Sequence, residues 1–356
     1  MEKRRLKLTS RWWLLLLPIA VFVVAFQIAG THAAASAGGF PAYIPMTGVT
    51  PTGVAVDKVG NVYVNIREMR ADGLHGLIWW FTPSGGGPSL FADIGIAEIY
   101  GLAVTANGDL YAAMGRIGSD KGVYRVDRKG NIELLPGTDQ IVWANALAFD
   151  DQGTLYITET HSGSPSSYGP GGIWRIPRGG QAELWLRDGL LTGIGAVMPY
   201  PIGVNGIVCY HGDLYVTNTD KGLVVRIPVQ KDGSAGVPVV WAMLQEVPES
   251  PLAWSALPLM GDDLRLDVHG NIYVAVLTRS AVVRINALDL SQETIAAFPV
   301  SPLDFPPSIA FGTGKGERMN LFVTNLGMGK VFVPQIPWPG PGLVKVDAGV
   351  PGQPFH

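Results

Sequence analysis

The stretch GVAVDKVGNVYV (53–64) recurs along the chain as GLAVTANGDLYA (101–112), ALAFDDQGTLYI (146–157), GIVCYHGDLYV (206–216), DLRLDVHGNIYV (263–274) and SIAFGTGKGERMNLFV (308–323). Each copy reads as an apolar strand, a polar glycine turn and a second strand with an aromatic. Those aromatics, Tyr63, Tyr111, Tyr156, Tyr215, Tyr273 and Phe322, are spaced by 48, 45, 59, 58 and 49 residues. A repeat of this length marks a stacked or radial array rather than separate domains. A third apolar segment follows in most copies, for example GLIWWF (76–81), GIWRIP (172–177) and AVVRIN (281–286). A weaker fourth comes next, as in SLFAD (89–93), QAELWL (181–186) and ETIAAF (293–298).

Four strands in each of six repeats predict an all-β, six-bladed β-propeller with four-stranded blades. Each small sheet has two apolar faces, and radial packing buries both while leaving only short edges. Val54 and Val56 alternate with Ala55 and Asp57 as strand residues should. The turn aspartates bond local backbone amides and carry no chemistry. The sixth repeat is irregular. Either GLVKVD (342–347) or FPAYIPM (40–46) could close the ring, and both stay open at this level.

Of the 356 residues, 47% are hydrophobic and 15% charged, and 46 glycines and 27 prolines keep the apolar runs short. That composition favours β structure. Residues 1–37 stand apart. Lys3, Arg4, Arg5, Lys7 and Arg11 precede the apolar run from Trp12 to Gly30, and Ala35-Ser36-Ala37 follows. This is the pattern of a signal peptide, or of a membrane anchor through residues 12–30 where it stays uncleaved. The expected organisation is therefore an export segment, 1–37, and one propeller domain, 38–356, outside the cytoplasm, secreted or periplasmic. The propeller segment holds 21 basic and 28 acidic residues, a net charge near −7. With no cluster of Lys and Arg after Arg11, nucleic-acid binding is excluded. The lone cysteine, Cys209, sits in an apolar strand and reads as a small buried hydrophobe.

Candidate chemistry lies just before the first strand of each repeat. Asn145, Asn205 and Asp262 hold that position in repeats three, four and five, and Thr52, Tyr100 and Pro307 in the others. Equivalent positions in a radial fold point to one mouth of the central channel. Two carboxamides and a carboxylate are hard oxygen ligands, best suited to Ca²⁺, with Mg²⁺, Mn²⁺ and Zn²⁺ as alternatives. Taken singly, each of these residues is more simply a turn residue bonding its own backbone. The second strands end near the same face in NIREMR (65–70), TETHSG (158–163) and TNTDKG (217–222). They bring Arg67, Glu68, Glu159, His161 and Asp220 as candidate bases or substrate contacts. The plain reading of His161 is a solvated loop histidine.

This constellation resembles the gluconolactonase and senescence-marker-protein (regucalcin-like) family, which has paraoxonase-like and strictosidine-synthase-like relatives. Asn145 matches the family's blade-three ligand, with Ala146-Leu147 in place of Asp-Gly. Asn205-Gly206 matches blade four, and Asp262 matches blade five, with Asp263 in place of Gly. The paraoxonase-like branch makes Asp263 a candidate second ligand. The family's first-blade glutamate falls at Thr52, which carries no charge. The resemblance implies a metal-dependent hydrolase of a lactone or related ester, which the 1–37 segment makes an exported one. Asn145, Asn205 and Asp262 would hold the cation, Asp262 or Asp263 would take the proton of the attacking water, and His161 would assist. A non-enzymatic extracytoplasmic binding propeller that presents a face to a sugar, peptide or envelope partner is the other reading, and the loss of the first-blade carboxylate favours it.

Overall fold

The computed structural model describes residues 40–115, 121–164, 167–253 and 255–354. The predicted export segment, 1–37, lies outside the described residues. Among the described residues no helix is long and apolar enough to cross a membrane.

Six antiparallel four-stranded sheets succeed one another in the chain. Blade 1 comprises Thr50–Val56, Val62–Arg70, Gly73–Phe81 and Ser89–Ile96, and blade 2 Ile99–Val104, Leu110–Met114, Gly122–Val126 and Ile132–Leu134. Blade 3 comprises Ala144–Phe149, Leu155–Glu159, Gly172–Ile176 and Glu183–Leu186. Blade 4 comprises Val204–Tyr210, Asp213–Asn218, Leu223–Pro228 and Val239–Met243. Blade 5 comprises Gly261–Leu266, Ile272–Val276, Ala281–Ile285 and Gln292–Ala297. Blade 6 takes Ser308–Phe311, Asn320–Asn325 and Gly342–Asp347 from the end of the chain and Tyr43–Pro45 from its beginning. First strands touch their neighbours in a closed cycle, the last against the first. The two candidates for ring closure thus both take part: Tyr43 pairs with Val344, Ile44 with Leu343 and Pro45 with Gly342.

The turn chemistry follows the repeat. Asp57 Oδ1 accepts the N–H groups of Val59 (3.0 Å) and Asn61 (2.9 Å), and Asp150 and Asp267 repeat the pattern. Between blades the inner faces interdigitate. The seam of blades 6 and 1 buries Val54, Val64, Phe81, Phe322 and Leu343, with Phe40 edge-on to Phe322 at 4.7 Å. Every other blade boundary has its own apolar cluster among the described residues. Each fully buried aliphatic or aromatic side chain contributes on the order of 1.5–3 kcal/mol, and that burial holds the ring together.

The two long spacings come from the connections 187–203 and 244–260, which run between blades on the face where the first strands begin. With the segment around the short helix Gly329–Phe332 they build a seventh apolar cluster from Leu252, Met260, Leu277, Phe298, Phe305 and Trp338. Trp338 stacks on Phe298 at 4.4 Å and is 6% exposed, so it is a packing residue and not contact surface.

Candidate functional site

Thr52, Tyr100, Asn145, Asn205, Asp262 and Pro307 share one register. Each lies three residues before the partner of its blade's turn aromatic: Ala55↔Tyr63, Ala103↔Tyr111, Ala148↔Tyr156, Val208↔Tyr215, Arg265↔Tyr273 and Ala310↔Phe322. In blades 1 to 5 the pairing is interrupted at this register, between Pro51 and Val54, Ile99 and Leu102, Ala144 and Leu147, Val204 and Ile207, and Gly261 and Leu264. Such bulges free a residue from the ladder and re-aim its side chain.

Asn145, Asn205 and Asp262 line one small cavity, of about 20 Å³, together with Tyr100, Asp263 and Ser308. That is room for about one water-sized species. Thr52 stands apart from it. Its hydroxyl is 2.6 Å from Asn65 Oδ1 and 2.9 Å from the Ile99 carbonyl, so blade 1 adds no oxygen from that position.

A belt of second-strand side chains fixes the backbone of these residues across the blade boundaries. Thr158 Oγ1 donates to the Asn205 carbonyl (2.6 Å) and accepts from Ala146 N–H (2.9 Å). Thr217 bonds the Asp262 carbonyl in the same way and accepts from Gly206 N–H. Asn65 Nδ2 donates to the Tyr100 carbonyl (2.9 Å), and Thr324 Oγ1 to the Thr52 carbonyl (2.9 Å). Glycine after the site residue lets adjacent first strands approach. A Cβ on Gly206 would lie 2.6 Å from the Asp262 carbonyl oxygen, and one on Gly101 2.3 Å from that of Asn145.

The carboxamides are oriented by a second threonine. Asn145 Nδ2 donates to Thr160 Oγ1 (2.9 Å), and Asn205 Nδ2 to Thr219 Oγ1 (3.0 Å). Thr160 and Thr219 are fully buried. No described protein group donates to either carboxamide oxygen.

Asp262 is only part-exposed and lines the small cavity. Burial, then the charge of Asp263, push its carboxyl well above the usual carboxylate range, while an Asn205 hydrogen bond and the Arg67 charge act against them. The side chains that line this cavity offer two carboxamide oxygens and a carboxylate, a donor set that suits a hard divalent cation, which would also offset the desolvation of Asp262. Three protein donors are few for Ca²⁺, which takes 6–8 oxygens, so water or substrate must complete such a shell.

The other candidates are placed differently. Asp263 Oδ1 pairs with Arg265 (2.6 Å), and Oδ2 accepts from Ser308 Oγ (2.6 Å). Glu159 is buried among Val142 N–H, Trp174 Nε1 and Arg187. Asp220 Oδ2 accepts from the N–H groups of Ile194, Gly195 and Ile202 and pins the 187–203 connection. Glu68 pairs with Arg70. Cys209 is half-buried, and burial raises its thiol pKa, so it is not an activated nucleophile.

His161 is not a solvated loop histidine. It is 3% exposed, edge-on to Trp143 at 4.7 Å and to Tyr168 at 4.6 Å, and Tyr168 arrives on an inserted hairpin, Ser162–Ser164 with Ser167–Gly169. Trp143 also packs on Tyr100 (5.2 Å) and Tyr200 (5.3 Å), which makes an aromatic wall beside the cavity. The orienting threonines and this wall were not anticipated from sequence. The T-x-T of ITET (157–160) and VTNT (216–219), found in the two asparagine blades, was the available signal.

No family sequence model and no curated protein matches the chain. Solved structures do. A structural-genomics protein described as a candidate gluconolactonase superposes with a TM-score of 0.62 at 15% identity, over 90% of this chain and 95% of its own. A luciferin-regenerating enzyme gives 0.60 at 15%, over 86% and 94%. A calcium-binding regucalcin from Agrobacterium tumefaciens gives 0.58 at 17%, over 88% and 96%. At these identities the likeness establishes architecture: the chain has the six-bladed propeller fold of the gluconolactonase- and regucalcin-like structures.

Proposed function

We propose that the protein is an exported divalent-metal-dependent hydrolase of a lactone or related ester. The observation that carries this reading is the shared cavity of Asn145, Asn205 and Asp262, with both carboxamide nitrogens tied back to threonines. A bound cation supplies Lewis-acid polarisation of the scissile carbonyl. The chain's own groups do the rest. Asn145 and Asn205 offer neutral oxygens and leave the positive charge undiminished. Asp262, part-exposed in the cavity lining, takes the proton of the attacking water as the new C–O bond forms. It returns that proton to the departing alkoxide as the ring C–O bond breaks, leaving a hydroxy acid. Asp263, held by Arg265 and Ser308, fixes the backbone next to Asp262 and adds negative charge beside it. His161 packs edge-on against the buried Trp143, which in turn backs Tyr100 at the cavity.

The deciding experiment is metal analysis of the purified protein combined with turnover of a lactone and aryl-ester panel by wild type and Asp262→Ala. Metal-dependent hydrolysis lost in the variant is expected. Unchanged turnover excludes the mechanism.

One observation favours a second reading, a non-enzymatic binding propeller with a sugar, peptide or envelope partner. The Thr52 hydroxyl is engaged by Asn65 and Ile99, so the cavity has one carboxylate from this register. Binding of panel members without any turnover would select it.

A further inference from the structure

Arginine pairing in this protein follows a rule with one exception. Among the described residues, the buried and part-buried arginines have carboxylate partners, as in Arg187–Glu159, Arg265–Asp263 and Arg279–Glu246. The remaining part-buried ones pair likewise. Arg67 does not. It is part-buried, makes no ion pair among the described residues, and its buried Nε has no hydrogen-bond partner. The adjacent carboxylate, Glu68, is held by Arg70 at 2.6 Å.

Its position is as informative as its lack of a partner. Arg67 follows the turn aromatic Tyr63 at the same offset as Thr160 follows Tyr156 and Thr219 follows Tyr215. Those threonines hold the two site asparagines. In blade 1 the asparagine register is held by Thr52, turned back onto Asn65, and Arg67, paired opposite Thr50, puts a cation where blades 3 and 4 carry a hydroxyl and blades 2, 5 and 6 carry Gly115, Leu277 and Leu326. The guanidinium lies over the Tyr100 ring, 5.5 Å from its centroid. Tyr100 is itself anchored through its hydroxyl to Glu98 and continues into Trp143. A guanidinium is planar, permanently charged and shaped to take a carboxylate through two parallel N–H bonds. Asp262 feels the Arg67 charge but forms no ion pair with it, so the fork lacks the hydrogen-bonded partner that would offset its desolvation.

We propose that Arg67 is a specificity-determining residue that receives the carboxylate of the ligand, and that the ligand joins this carboxylate to a flat apolar ring resting against the part-exposed Tyr100, which the buried Trp143 backs. The proposal takes from the hydrolase reading only that the channel mouth is where small molecules bind.

The test is a binding titration of the purified protein, read by tryptophan fluorescence and calorimetry, with phenylacetate and its uncharged isostere phenylacetamide. Chelator is present, so that no cation can serve as the carboxylate's partner. Phenylacetate should bind at least about tenfold more tightly, in line with a charge-assisted bidentate pair. Arg67→Gln should bring the ratio near one, and Arg67→Lys, which keeps the charge without the fork, should reduce it severalfold. Equal binding of the two probes, binding of neither, or a ratio unmoved in both variants overturns the proposal. If Arg67→Gln does not fold, the wild-type ratio and the lysine variant decide. A lactone panel that is not turned over, with the carboxylate preference intact, removes the hydrolase reading and leaves Arg67 in place. Turnover without the preference does the reverse.

Discussion

Thr158 Oγ1 donates to the carbonyl oxygen of Asn205, 2.6 Å away and one blade on, while accepting from Ala146 N–H in its own blade. A single hydroxyl thus ties a ring joint to the position of a site residue. Thr158→Val keeps shape and removes both bonds, leaving a buried carbonyl and a buried N–H unsatisfied. The expected loss is about 1–3 kcal/mol of stability. Urea unfolding measures it, and cation affinity should weaken alongside, because Asn205 is no longer held in place.

Cation binding should appear as stabilisation. Ca²⁺ at about 100 times its dissociation constant raises stability by about 2.7 kcal/mol if it binds only the folded state. Thermal melts with chelator and with Ca²⁺ should separate for wild type and coincide for Asp262→Ala. Asn145→Ala and Asn205→Ala should narrow the separation without closing it. Equal Ca²⁺ shifts in wild type and Asp262→Ala would remove the cation from this cavity.

The close approach of first strands predicts a steric effect at Gly206. Its Cβ would meet the Asp262 carbonyl at 2.6 Å and the Asp263 Cα at 2.7 Å, both main-chain atoms. Gly206→Ala should cost about 1–3 kcal/mol and displace Asp262, with loss of whatever the site binds. Gly189→Ala, where a Cβ meets nothing within 4 Å, is the matched control and should be close to neutral.

Asp220 gathers three main-chain N–H groups on one oxygen, at 2.7–2.9 Å. Asp220→Ala strands all three, and the loss should exceed about 2 kcal/mol. The 187–203 connection should become the first site of limited proteolysis. Cleavage elsewhere first would deny Asp220 that anchoring role.

Alkaline pH should destabilise the protein through Tyr63, which is 7% exposed. Burial, followed by the charge of Asp57, pushes its hydroxyl from 10.0 up to about 12. The folded state therefore keeps a proton that the unfolded chain releases, and stability falls as pH rises from about 10 to about 12. The full contribution is on the order of 2–3 kcal/mol. Tyr63→Phe should flatten that limb of the stability profile.

The ring was legible because its cause is local. Each copy carries its own alternation, its own polar glycine turn and its own aromatic, so blade after blade announces itself within a dozen residues. The register of Asn145, Asn205 and Asp262 was legible for the same reason, since equal offsets from equal turns must share a radius. What the sequence hid is relational. Whether residues 40–46 or 342–347 closes the ring depends on pairing between chain ends. Asp263 and Glu159 look like free acids in the string, yet Arg265 and Arg187 reach them only once the strands are folded. His161 looks like a loop residue because Tyr168 and Tyr200, which wall it in, come from a hairpin and a connection without repeat signature.

The pairing of Tyr43 with Val344 carries a consequence for biogenesis. Tyr43 is made about 300 residues before its mate, so the blades between them must assemble with one flank still bare. Contacts of such long sequence separation are slow to form. The interval before the latch shuts, with the faces of blades 1 and 6 open to water, is when this molecule is most exposed to association with its own kind.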